Sequence, residues 1–266
     1  MYDLRNLVFF IHFSRSIFKQ IYQLSMQDIY FLILLGIVAF LYASAGHGGA
    51  SGYLALMAMF SFQPSLMKSS ALILNVFVSI TAFIQFYRAG QFRWKLFYPF
   101  ALASVPMAFL GGTMVISDSL YKKMLAICLI LAIFRILIKP QNDEIQKKSS
   151  FVGSLIIGGI IGLLSGMLGI GGGIILSPIL ILLNWANLKQ TAAISALFIF
   201  VNSLAAFSGL LSKGYQPNVQ IYTWLAVAFV AGLCGSYFGS KKFNIPTLRY
   251  TLAGVLIIAC LKLIFT

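Results

Sequence analysis

Two short stretches of this chain combine glycine with polar side chains in a pattern that could recognise an anion. The first, "GHGGASG" (46–52), carries Gly46, His47, Gly48, Gly49 and Ser51; the second, "GIGGGIILS" (169–177), carries Gly169, Gly171, Gly172, Gly173 and Ser177. Each glycine weakens a helix by about 1 kcal/mol relative to alanine, so a cluster of them breaks it. The apolar pieces that follow, 50–62 and 174–184, restart helix. The first N–H groups of such a helix have no intrahelical acceptor and its dipole is positive at that end, which suits an anion. Glycine at small-xxx-small spacing can instead let continuous helices approach closely, and that fits Gly158, Gly159, Gly162 and Gly166. Consecutive glycines do not keep a helix continuous, so the two turns are expected to line a cavity.

His47 is the one ionisable side chain that the sequence places deep in an apolar segment, apart from residues near segment ends such as Arg135 and Lys262. Two roles stay open. It could meet an anion or carry a proton with it, or stay neutral and bond a backbone carbonyl freed by the turn. Ile170 occupies the equivalent place in the second stretch. Asn75 and Asn202 lie in the middle of apolar runs, where an amide glues helices together or lines a path. Ser69 and Thr191 are similar candidates. "GASG" (49–52) matches the pattern around the nucleophile of rhomboid intramembrane proteases. That chemistry needs a histidine base on another helix, and the only histidines are His12, outside the apolar runs, and His47, in the same turn. A serine protease is therefore disfavoured. No P-loop and no other cofactor motif occurs, and the three cysteines, Cys128, Cys234 and Cys260, lack metal-site spacing.

The solvent around these residues follows from composition. The chain is 60% hydrophobic and 9% charged, with a mean hydropathy of +0.95, against roughly 25% charged residues in a soluble domain. Uncharged runs at 29–45, 71–87 and 221–240 approach the ~20 residues that span a bilayer as a helix, and they do not alternate as barrel strands would. The net charge of +14 is spread between the runs, which marks topology and excludes a nucleic-acid face. The expected class is an all-α integral membrane protein whose partners are the lipid bilayer and a small anionic substrate; a homo-oligomer is compatible with it.

Sliding the sequence along itself by about 123 residues lays 45–56 over 168–179, "KSSA" (68–71) near "QTAA" (190–193), and Gly90 near Gly214. The expected organisation is a basic N-terminal extension (1–28), a first membrane repeat (29–138), a polar linker (139–150) and a second repeat (151–266). Each repeat holds about four transmembrane helices and opens with a Gly-rich broken or re-entrant element. Full spans are expected at 29–45, 69–87, 96–116, 122–138, 151–168, 190–211, 220–240 and 248–265. If the two short pieces re-enter, the chain crosses eight times; if both cross, the second half is inverted. Lys and Arg placement weighs slightly toward eight crossings and leaves both open.

With "GHGGASGYLALMAMF", "SVPMAFLGG" (104–112) and "GMLGIGGGIILSPIL" in place, the sequence resembles the TauE/SafE sulfite exporter family, also described as toluene sulfonate uptake permeases, over essentially 29–265. The resemblance implies a secondary permease of the inner membrane that moves sulfite, sulfonates or related organic anions. Ala50 stands where the second repeat has Gly173. A rival from another class is a non-transporting membrane subunit that binds a partner through its basic loops.

Overall fold

A computed structural model describes residues 25–44, 48–137 and 149–241, together with positions 257 and 260. Nine helices lie in the three described stretches: α1 (Met26–Ser44), α2 (Ala50–Met59), α3 (Pro64–Arg88), α4 (Trp94–Thr113), α5 (Asp118–Leu137), α6 (Phe151–Leu168), α7 (Gly173–Leu182), α8 (Leu188–Leu211) and α9 (Gln220–Lys241). Six are long and apolar enough to cross a membrane by length and composition: α1, α3, α4, α6, α8 and the Gln220–Phe238 part of α9. The expected 248–265 span, the 1–24 part of the N-terminal extension and most of the linker lie outside the described residues.

Local chemistry sets where these helices start. Ser25 and Asp28 cap α1 reciprocally, Asp28 N–H donating to Ser25 Oγ (3.2 Å) and Ser25 N–H to Asp28 Oδ2 (3.0 Å). The helix thus begins inside what the sequence marked as extension. Pro64 opens α3, where its missing N–H costs nothing. Ser150 accepts from Gly153 N–H at the head of α6, and Asn187 with Gln190 forms a capping box for α8.

Helix directions follow from what touches what. At one end of the bundle Phe31 stacks with Phe60, Phe62 and Trp224, so the starts of α1, α3 and α9 lie together. At the other end Phe92, Trp94 and Phe97 cluster, and Tyr98 meets Phe151, which puts the start of α6 beside the start of α4. Aromatic clusters at both ends suit membrane interfaces. α3 and α8 run antiparallel through the middle: Tyr215, just after α8, donates to Ser69 in the second turn of α3 (2.6 Å), while Phe86 near the end of α3 packs on Ala192 and Ala193. α6 lies parallel to α4, with Gly158, Gly162 and Gly166 against the backbone of Phe100, Ser104 and Ala108. α1 lies parallel to α9, with Gly36 facing Val227 and Gly235 against Phe40. The chain therefore enters α1 and α6 from opposite ends of the bundle, and α2 and α7 each lead it back toward the end from which it came.

The short helices make that return possible. α2 and α7 have ten residues each, about 15 Å at 1.5 Å per residue, roughly half the hydrocarbon thickness. α2 doubles back along α1, bringing Gly52 against Val38 and Tyr42. α7 doubles back toward Trp185, whose carbonyl accepts from Arg93 Nη1 (3.3 Å). Each hairpin comes from its own end and turns over at its glycine cluster.

Candidate functional site

The two glycine turns meet on the central helices. A methyl group added at Gly48 would come within 2.8 Å of Ile199 Cγ2, 3.2 Å of Ser79 Cβ and 3.3 Å of Asn75 Oδ1. One added at Gly171 would come within 2.7 Å of the same Ile199 carbon, 3.0 Å of Ser203 Oγ and 3.1 Å of Asn75 Nδ2. Asn75 therefore stands between both turns with one face of its amide toward each. Only glycine leaves room for this approach, and at Gly171 φ is also +70°.

Asn75 is fully buried, and its Nδ2 reaches the carbonyl of Gly169 at 3.4 Å. Its Oδ1 has no hydrogen-bond partner among the described residues, and neither do Asn202 Oδ1 and Ser203 Oγ. Leaving a buried polar atom unpaired costs roughly 1–3 kcal/mol, so Asn75 Oδ1 beside Gly48 and Ser203 Oγ beside Gly171 mark a place built to meet something polar. Each short helix starts there with a left-handed glycine at its N-cap, Gly49 (φ 89°) and Gly172 (φ 78°), and neither has a side-chain cap. The first-turn N–H groups of α2 and α7 thus face the meeting point without a side-chain acceptor from the cap.

The sequence-derived candidates divide as follows. Gly46 and His47 lie outside the described residues. Gly48, Asn75, Gly169 and Gly171 come together, with Gly173 beside them against Ile199 and Ser195 O. Gly49 and Gly172 turn their Cα hydrogens outward from the centre, toward Tyr53 and toward Ile161 and Phe198 respectively. Ser51 donates to Tyr42 Oη (2.9 Å) and lies along the first hairpin. Ser177 bonds the carbonyl of Gly173 (2.6 Å) and shares a hydrogen bond with Ser195 (2.8 Å), which ties α7 to α8. Asn202 donates to Phe198 O of its own helix (2.8 Å). Ser69 meets Tyr215, and Thr191 is buried with Oγ1 unpartnered.

Three neighbours were not anticipated. Ile199 fills the notch formed by Gly48, Gly171 and Gly173, so the space expected as open cavity at the turns is occupied by a side chain here. Ser203 follows Asn202 but faces Gly171. Lys68, near the start of α3, is a buried ionisable group that the sequence did not single out: it is 7% exposed, and Nζ donates to the carbonyls of Gly111, Gly112 and Met114. Its position seven residues before Asn75, two helical turns, was the available signal. Among the described residues no group of three or more His, Cys, Asp or Glu could hold a metal ion.

Comparison with known proteins agrees with this architecture. The family model described as "Sulfite exporter TauE/SafE" matches residues 31–263. The "Probable membrane transporter protein y4hK" of Sinorhizobium fredii is 34% identical over 235 residues, covering 86% of this chain and 95% of that protein. The "Probable membrane transporter protein YdhB" of Bacillus subtilis is 25% identical over 230 residues, 83% of this chain and 91% of that protein. The "Probable membrane transporter protein MJ0441" of Methanocaldococcus jannaschii is 27% identical over 198 residues, 67% and 72% respectively. No solved structure matches the chain significantly. With a family model over most of its length, six apolar helices fit to cross a bilayer and a transporter relative 34% identical over 86% of it, the chain is a multi-pass membrane protein and belongs to the TauE/SafE family of membrane transporters.

Proposed function

We propose that this protein is a secondary permease of the inner membrane that moves a small anion, with sulfite, sulfonates and related organic anions as the substrate class. The observation that carries the reading is the approach of Gly48 and Gly171, from hairpins entering at opposite ends, to one buried amide, Asn75. Backbone that leaves the helical pattern inside a membrane is tolerated where it lines a ligand path, and half-helix N-termini facing each other at mid-depth supply N–H groups and positive dipole ends to an anion. Gly48, Gly49, Gly171, Gly172 and Gly173 would present that backbone, and Asn75 would orient the ligand.

The same reading takes the chain as an inverted duplication, α1–α5 followed by α6 onward. Its support is the exchange of partners: α1 packs on α9 and α6 on α4, while α3 and α8 cross each other in opposite directions. Alternating access then amounts to one hairpin moving aside at a time, and Ile199, packed against both turns, would have to yield when the anion arrives.

Counterflow of labelled sulfite and of methanesulfonate in proteoliposomes tests the function. Saturable exchange of either is the expected result. No flux for any small oxyanion would overturn the permease reading and favour a non-transporting membrane subunit.

A further inference from the structure

Lys68 brings a positive charge into the bundle, and among the described residues no carboxylate is a hydrogen-bond partner of it. The three carbonyls it bonds, those of Gly111 and Gly112 (3.3 and 3.2 Å) and Met114 (3.2 Å), belong to the end of α4. The negative end of a helix dipole amounts to about half an elementary charge, so this cap offsets the ammonium only in part. Carboxylates are scarce in the chain, five Asp and Glu against 19 Lys and Arg. The two in the described residues, Asp28 and Asp118, sit in the first turns of α1 and α5. A buried charge left partly uncompensated is costly, and it is retained where a counter-charge arrives with a ligand.

Lys68 also lies against the second glycine turn. A methyl group at Gly169 would come within 2.7 Å of the carbonyl oxygen of Lys68 and 3.1 Å of its Cα. Seven residues on, Asn75 reaches the Gly169 carbonyl and the space beside Gly171. Lys68, Asn75 and Ser79 occupy positions i, i+7 and i+11 of α3, one face of the helix. The stretch Gly169–Gly171 runs along that face from the backbone of Lys68 to the Asn75 amide nitrogen, whose unpartnered oxygen lies on the side of Gly48. Lys68 stands at the end of the bundle where α3 begins, next to Ser69 and its contact with Tyr215.

We infer that Lys68 is the counter-charge of the transported anion, setting the preference for negatively charged substrates and marking one end of a path that runs along the second glycine turn to Asn75. This inference rests on the permease reading. In the state described here the ammonium caps α4; when the anion enters beside Gly169, the ammonium swings from those carbonyls toward it. The first glycine turn touches no equivalent charge in the described residues, and Gln190 takes the place of Lys68 in the second half.

The test compares full-length wild type with Lys68→Met, which keeps the apolar stem, Lys68→Gln, which keeps a hydrogen-bond donor, and Lys68→Arg, which keeps the charge. Methanesulfonate counterflow is measured at matched levels of inserted protein. The expected result is a KM raised by about tenfold or more in both neutral variants, the scale on which one charge acts at low dielectric, with Lys68→Arg close to wild type. A KM unchanged in a neutral variant, with only the amount of inserted protein or the maximal rate reduced, would leave Lys68 as a helix cap and overturn the inference. So would failure of both neutral variants to insert while Lys68→Arg inserts, since the charge would then be a folding requirement. Failure of the permease reading is distinct, because it shows as absent flux in the wild type before any substitution is made.

Discussion

The two glycine turns do the same geometric job with different neighbours. At the first, Tyr53 lies against Gly49, and Tyr42 with Val38 lies against Gly52, so the α1–α2 hairpin closes on itself through aromatic and aliphatic contacts. At the second, Gly169 rests on the backbone of Lys68, and Gly171 faces Asn75 and Ser203. Both turns thus meet α3 and α8, the first through Gly48 and the second through Gly169, Gly171 and Gly173; the first is braced in addition by its own hairpin, and the second by the backbone of Lys68. The difference teaches that glycines equivalent in sequence need not be equivalent in mechanism. Both turns have unpartnered polar atoms beside them, Asn75 Oδ1 and Tyr53 Oη at the first and Ser203 Oγ at the second; the second has the better claim to contact with an anion because it also lies against a lysine.

Substitutions at Gly171 and Gly48 should expose this asymmetry most strongly. Gly171→Val places a β-branched side chain at φ +70° and onto Ile199, Ser203 and Asn75, so flux should fall to background. Gly171→Ala carries a smaller version of the same penalty, about 1–2 kcal/mol of left-handed strain plus the steric contact. Gly48→Ala meets Ile199 at 2.8 Å but has no positive φ, and it should retain more counterflow activity than Gly171→Ala at equal insertion. Equal losses at the two positions would remove the asymmetry.

A second contrast sets Asn75 against Asn202, both central amides with an unpartnered Oδ1. Asn75 spans the two turns, whereas Asn202 bonds its own helix at Phe198. Asn75→Leu should lower the maximal rate over KM by about tenfold, the effect of losing one or two buried polar contacts. Asn202→Leu removes a buried unsatisfied oxygen along with one local bond, so thermal stability should change by no more than about 1 kcal/mol and flux by little. A larger transport defect in Asn202→Leu would move the site toward α8.

Much of this was legible in the chain. Apolar runs and their glycine and proline punctuation located the helices to within a few residues, since hydrophobic length and helix breaking are local properties. The pairing of 45–56 with 168–179 pointed to two matching turns, because a repeated break in a membrane helix has few uses. What sequence could not supply was direction and depth. Lys and Arg placement weighed slightly toward eight crossings, because a short helix that returns the chain carries no charge of its own to mark it. Lys68 looked like an ordinary residue near a helix start; the carbonyls that bury it come from α4, more than forty positions later. Ile199 was invisible for a similar reason, being one isoleucine among many until the two hairpins converge on it.

His47 offers a third test, on the first turn alone. If its imidazolium meets the anion, methanesulfonate flux should be highest while the histidine is protonated and should fall as pH rises from about 5 to 8. His47→Gln keeps hydrogen-bonding capacity without ionising, so it should flatten that profile. A permanently ionised sulfonate keeps the substrate's own titration out of the measurement. Superimposable profiles for wild type and His47→Gln would take the imidazole out of the mechanism and leave the first turn with a mainly structural part.

The smallest effect belongs to Gly90 and Gly214, which separate backbone strain from site occlusion. Both have positive φ, 71° and 81°, just past the ends of α3 and α8, and a methyl group added at either meets nothing within 4 Å. At Gly90 the following Gln91 N–H bonds Phe86 O (3.2 Å), the closing bond of a left-handed helix cap. Alanine at these positions should therefore cost only the left-handed conformation, about 1–2 kcal/mol each. A small drop in the melting temperature of the purified protein is expected, with KM and rate per inserted molecule unchanged. Gly171→Ala bears the same conformational penalty with Ile199, Ser203 and Asn75 added, so any transport loss beyond that seen in Gly90→Ala and Gly214→Ala measures occlusion at the turn. If Gly214→Ala impaired flux as severely as Gly171→Ala, strain alone would account for the glycine requirement, and the contacts of the second turn would lose their standing as a substrate path.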